Sequence, residues 1–110
     1  MAVMKEANKL TINRVSDGNR LTLALDGHLN TATALELGTF LSESLNGVTD
    51  LVFDFSKLKY ISSAGMRVLL TTQKRMNSQG SMKITGASNN IIDIFDITGF
   101  TDILTIENRE

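Results

Sequence analysis

The sequence predicts a mixed α/β domain, a partly parallel β-sheet with helices packed against it, in the order β-β-α-β-α-β-α-β. Three observations predict it. Residues 20–26 alternate Leu21, Leu23 and Leu25 with Thr22 and Ala24, the period of a strand with one buried face. Short apolar runs recur later, LVFDF at 51–55 and SMKIT at 81–85. Between and after these runs lie stretches with apolar residues at helical spacing, each opened by a Ser, Thr or Asn and closed by a Gly. Strands alternating with helices imply crossover connections, hence parallel pairs inside a mixed sheet.

Each element follows in order. Residues 10–15 (LTINRV) and 20–26 (RLTLALD) read as two strands, joined by a hairpin turn at Asp17-Gly18-Asn19, residue types that accept positive φ. After Gly27 the period changes. Thr33-Ala34-Leu35-Glu36 has the form of a capping box, with Thr33 as N-cap and Glu36 reaching back. Ala34, Leu37, Leu41 and Leu45 then trace one helical face, which Asn46-Gly47 ends. LVFDF reads as a strand covered on both faces. Ser62 or Ser63 caps a second helix with Met66, Leu69, Leu70 and Met76 inward, closing at Gly80. The strand SMKIT puts Met82 and Ile84 on one side. Ser88 or Asn89 starts a third helix carrying Ile91, Ile92 and Phe95, with Gly99 as its C′ residue and Phe100 as the apolar contact beyond. DILTI at 102–106 reads as the closing strand.

The 110 residues fit a single domain over 1–110, with residues 1–9 as a lead before the first strand. A chain of this size buries roughly two thirds of its unfolded surface, enough for a core without staples. Composition narrows the function. There is no Cys, so no disulfide or thiolate zinc site. A net charge of −1 implies no bulk attraction to nucleic acid or anionic lipid. No apolar run approaches the ~20 residues of a membrane helix, and MAVMKEANKL lacks the apolar stretch of a secretory signal. The expectation is a soluble cytoplasmic protein without membrane insertion. No cofactor or metal is expected: His28 has no second ligand at a useful spacing and reads as a rim histidine, and Asp93, Asp96 and Asp102 form no calcium-loop pattern. No acid–base pair or activated nucleophile can be assembled, so the chain does not read as an enzyme.

The stretch YISSAGMR at 60–67 then needs a purpose. A serine cap, worth ~1 kcal/mol, accounts for one of its two serines. The other reads as a phosphoacceptor, because a helix start presents unpaired N–H groups and partial positive charge that tolerate a dianion. Phosphate adds roughly −1.5 to −2 charges without unfolding the domain, and blocks docking by bulk and repulsion. Met66 beside it is read equally as an adaptable contact or as core. Arg67, Lys74 and Arg75 lie on the polar side of the second helix, where solvation is the default and carboxylate contacts the alternative.

Three stretches together carry a family resemblance. Gly27-His28-Leu29-Asn30-Thr31-Ala32-Thr33-Ala34 resembles G-x-L-D-x-x-T-A; residues 54–66, DFSKLKYISSAGM, resemble D-L-S-x-[VL]-x-[FY]-[IM]-D-S-[SA]-G-[LM]; and Ile94-Phe95-Asp96-Ile97-Thr98-Gly99-Phe100 is similar to L-F-x-[LM]-[ST]-G-[LF]. In this order they resemble the STAS domain, the family of bacterial anti-sigma factor antagonists, over nearly the whole chain. The resemblance implies a STAS-like fold and a protein that binds an anti-sigma factor with serine kinase activity. It also implies phosphorylation by that partner at Ser63, with Ser62 the second candidate, and a phosphoserine phosphatase to reverse it. The family's two aspartates are Asn30 and Ser62 here. The expected docking surface is Asn30, Thr31, Ser62, Ser63, Gly65, Met66 and Arg67. Two rival readings stand beside this one: a STAS subunit docking constitutively on the ATPase of a lipid-transport complex, and a small-ligand or nucleotide-binding module.

Overall fold

In a computed structural model, which describes residues 9–107, five strands form one sheet in the order β1-β2-β3-β4-β5. The strands are β1 (Leu10–Asp17), β2 (Arg20–Leu29), β3 (Asp50–Ile61), β4 (Ser81–Thr85) and β5 (Ile106–Glu107). β1 pairs antiparallel with β2 through a two-residue turn in which Gly18 has φ +63°; every other pair is parallel. The helices α1 (Thr31–Ser44), α2 (Ser63–Gln79) and α3 (Asn89–Thr98) form the three crossovers. Successive right-handed crossovers advancing in one direction leave their helices on one face of the sheet.

The mixed sheet with helices against it is therefore as predicted, and so is its core. Leu21, Leu23 and Leu25 of β2, Phe53 and Phe55 of β3, and Met82 and Ile84 of β4 point to the helices. There they meet Leu37 and Leu41 of α1, Leu69 and Met76 of α2, and Ile91 and Phe95 of α3, all buried. Each such side chain contributes roughly 1.5–3 kcal/mol by leaving water. Val52 on the opposite face of β3 is buried as well, while Asp54 is half-buried and accepts a hydrogen bond from the Ser56 N–H at 2.9 Å. Leu70, expected inward, is only half-buried.

Three expectations are corrected. α1 starts at Thr31, not after Thr33: its N-cap is Asn30, whose Oδ1 accepts the Thr33 N–H at 2.9 Å while Thr33 Oγ1 accepts the Asn30 N–H at 2.9 Å. The capping box exists, but one turn earlier, because Asn is as good a cap as Thr and its partner need not be Glu. β3 runs on to Ile61 rather than ending at Phe55. Its polar stretch SKLK stays paired because two register irregularities in the β2–β3 pair let Leu58 and Ile61 both face inward. The closing strand is shorter than DILTI. Phe100–Asp102 forms a 3₁₀ turn, with Ile103 N–H donating to Phe100 O at 3.0 Å and Leu104 N–H to the same oxygen at 2.8 Å. Among the described residues only Ile106–Glu107 pairs, with Ile84 and Thr85. The expected lead over residues 1–9 lies outside the described residues except for Lys9.

Candidate functional site

Parallel strands bring their C-terminal ends, and the helix starts that follow, to one edge of the sheet. β2 ends opposite β3 at Leu29 and Ile61, and the Ser62 N–H donates to Leu29 O at 2.8 Å. That bond fixes the start of α2 beside the start of α1. Asn30, Thr31, Ser62 and Ser63 are thereby gathered at one corner from positions some thirty residues apart.

The two serines play different parts. Ser62 is the N-cap of α2: its Oγ accepts the Gly65 N–H at 3.1 Å, its carbonyl accepts the Met66 N–H at 2.9 Å, and its side chain is half-buried. Ser63, the first helical residue, is exposed, and its hydroxyl makes no hydrogen bond among the described residues. The second serine is thus free for other chemistry while the first holds the helix.

Asn30 caps α1 in the same way, and Thr33 Oγ1 donates to His28 O at 2.7 Å, tying that cap to the end of β2. Both capping side chains are uncharged, and none of the three helices has an acidic residue in its first turn. Replacing either cap by alanine, Asn30→Ala or Ser62→Ala, is expected to lower stability by ~1 kcal/mol in chemical denaturation, with the slope of the transition unchanged.

Gly65 and Met66 do not present themselves to a partner. Met66 is 5% exposed and belongs to the core, which decides its two readings. Gly65 is buried because α2 lies directly on Leu29: a Cβ there would stand 2.7 Å from Leu29 Cγ and 3.1 Å from Ile61 Cγ1. Thr31 and Arg67 are exposed, as a contact surface requires. Lys74 is exposed too, but Arg75 is half-buried and donates from Nε to Gln79 at 3.3 Å and from Nη2 to Asn46 at 3.1 Å. His28 is a half-buried rim residue with its ring 6.2 Å from that of Tyr60.

One feature escaped the sequence reading. A groove of about 360 Å³ runs between α1 and α2, floored by Gly38, Leu41, Leu45, Ala64 and Val68. Its continuation reaches Thr31 and Leu35 at the site corner, and Leu35 is 75% exposed. The available signal was Gly38, a glycine inside a helical pattern.

Known proteins share this fold. BtrV of Bordetella bronchiseptica, a candidate anti-sigma factor antagonist, is 34% identical over 102 residues, covering 91% of this chain and 86% of its own. An anti-sigma factor antagonist from Mycobacterium paratuberculosis superposes with a TM-score of 0.80 at 15% identity, covering 89% of this chain and 85% of its own. The Bacillus cell fate determinant SpoIIAA in its phosphorylated form does so with a TM-score of 0.72 at 14% identity, over 93% of this chain and 92% of its own. The STAS domain signature matches residues 10–110, which spans the sheet, the helices and the Asn30–Ser63 corner alike, and so the chain belongs to the STAS domain family.

Proposed function

We propose that this protein is an anti-sigma factor antagonist that works by partner switching. Unphosphorylated, it binds an anti-sigma factor and frees the sigma factor held there; phosphorylated on Ser63, it lets go. The observation that carries this reading is the division of labour between the serines. Ser62 is spent on the cap, while Ser63 stands exposed with its hydroxyl unengaged at a helix start. The division also favours Ser63 over Ser62 as the acceptor, since modifying Ser62 would displace the cap from the Gly65 N–H.

The partner is an anti-sigma factor with serine kinase activity, which transfers the γ-phosphoryl group of ATP to the Ser63 oxygen, releasing ADP and the hydroxyl proton. A phosphoserine phosphatase resets the switch. The protein itself contributes no catalytic group. The kinship with BtrV supports the antagonist role, and the phosphorylated form of SpoIIAA supports a modifiable member of the same fold. The contact surface is Thr31, Ser63 and Arg67, positioned from behind by Asn30, Ser62, Gly65 and Met66. Calorimetric titration with the anti-sigma factor tests the reading: Ser63→Ala is expected to bind in every condition and to resist release by ATP. Release of Ser63→Ala by ATP as complete as that of wild type would contradict it.

A further inference from the structure

The groove between α1 and α2 has a chemistry of its own. Its floor is apolar, and two arginines of α2, Arg67 and Arg75, stand along it. They are eight residues apart, ~12 Å along the helix axis. No acidic side chain lines the groove, and neither arginine forms an ion pair among the described residues. An occupant must therefore combine an apolar stripe with carboxylates at a matching separation.

Gly38 strengthens the point. A glycine inside a helix costs ~1 kcal/mol relative to alanine. Close packing does not require this one, since a Cβ at Gly38 would meet only Val68 Cγ2, at an ordinary 3.9 Å. Its absent side chain leaves the groove floor open.

We infer that the groove receives an acidic amphipathic helix of the anti-sigma factor, its apolar face over Gly38, Ala64 and Val68 and its carboxylates on Arg67 and Arg75. The inference rests on the partner-switching reading and adds how the site would be regulated. Among the described residues, Arg67 is the one side chain that lines both this groove and the hollow beside Ser63. It lies four residues after Ser63, on the same helix face, within reach of a phosphate there. Phosphoserine at 63 draws Arg67 away from the partner's carboxylate, so modification at the corner weakens the groove as well.

The test is the affinity of the 110-residue chain for the anti-sigma factor purified through its state-dependent binding to wild type. Gly38→Leu fills the floor without touching Ser63 and is expected to weaken binding at least ~30-fold, the effect of losing a hot spot, while melting no lower than wild type. Arg75→Glu is expected to weaken it about tenfold at low salt and less at high salt. Wild-type affinity in both variants, with Ser63→Asp still defective, would overturn the groove and leave the switch standing. Wild-type affinity in all three would overturn both. Saturable binding of sodium dodecanoate that Gly38→Leu abolishes, with Gly38→Leu binding the anti-sigma factor as tightly as wild type, would assign the groove to an acyl carboxylate and overturn the helix.

Discussion

Phosphorylation of Ser63 is expected to weaken binding of the anti-sigma factor about a thousandfold, a penalty of ~4 kcal/mol, and Ser63→Asp at least a hundredfold. The estimate follows from what the group does at this position. Ser63 is exposed at the first position of α2, within the contact surface proposed above, so a partner docked there covers it. A phosphate there brings roughly −1.5 to −2 charges into a surface that would otherwise be desolvated by contact. Aspartate brings one charge and less bulk, hence the smaller effect. The fold is expected to be untouched, because a negative charge in the first turn of a helix is favourable by ~0.3–1 kcal/mol. Titration calorimetry beside a thermal melt separates the two: Ser63→Asp should lose affinity while its melting temperature holds or rises. A variant that binds as tightly as wild type would sink the switch.

Gly65→Val is expected to be the most damaging single change at the site, costing about 3 kcal/mol of stability, the upper range for overpacking a filled core. Even a single Cβ would stand 2.7 and 2.9 Å from Leu29 Cγ and Cδ2. Leu29 is 0% exposed and cannot swing aside, so the start of α2 must lift from the sheet. That shift strains the Ser62 N–H bond to Leu29 O and moves Ser63 relative to Thr31. Partner affinity should therefore fall beyond what the lost stability explains. Denaturant unfolding and binding measured on the same preparation check both parts. Wild-type stability would show that the close approach of α2 to Leu29 is not a constraint.

The sequence reading was soundest where one physical rule dominated. Leucine alternation in β2, the helical stripes and the Gly99 C-cap, with φ +83°, were all visible because burial and backbone freedom leave direct marks on residue type. It was weakest where two rules competed. Asn30 and Thr33 are both good caps, and the reciprocal bonds between them, with Thr33 Oγ1 also donating to His28 O, put the start of α1 at Thr31. Ser56, Lys57 and Lys59 break the apolar run of LVFDF, yet the bulges beside Gly27 keep SKLK in β3. DILTI has strand propensity, but the local 3₁₀ turn takes up its backbone groups first.

The site shows the same pattern. The positions of the serines were legible, and their roles were not, because whether Ser62 or Ser63 holds the cap is a matter of one hydrogen bond. Met66 was balanced between surface and core, since a methionine serves either. The groove left no mark but Gly38, because it is made by two helices whose separation no linear pattern records.

The most direct measurement is phosphopeptide mapping of the protein from its own cells, in growth and under stress. Cleavage after Lys59 and Arg67 releases YISSAGMR as a single peptide carrying both serines. Partner switching predicts one phosphate, on Ser63, whose occupancy changes with conditions. A peptide unmodified in every condition, or one modified on Ser62, would contradict it and leave the corner as a constitutive docking edge.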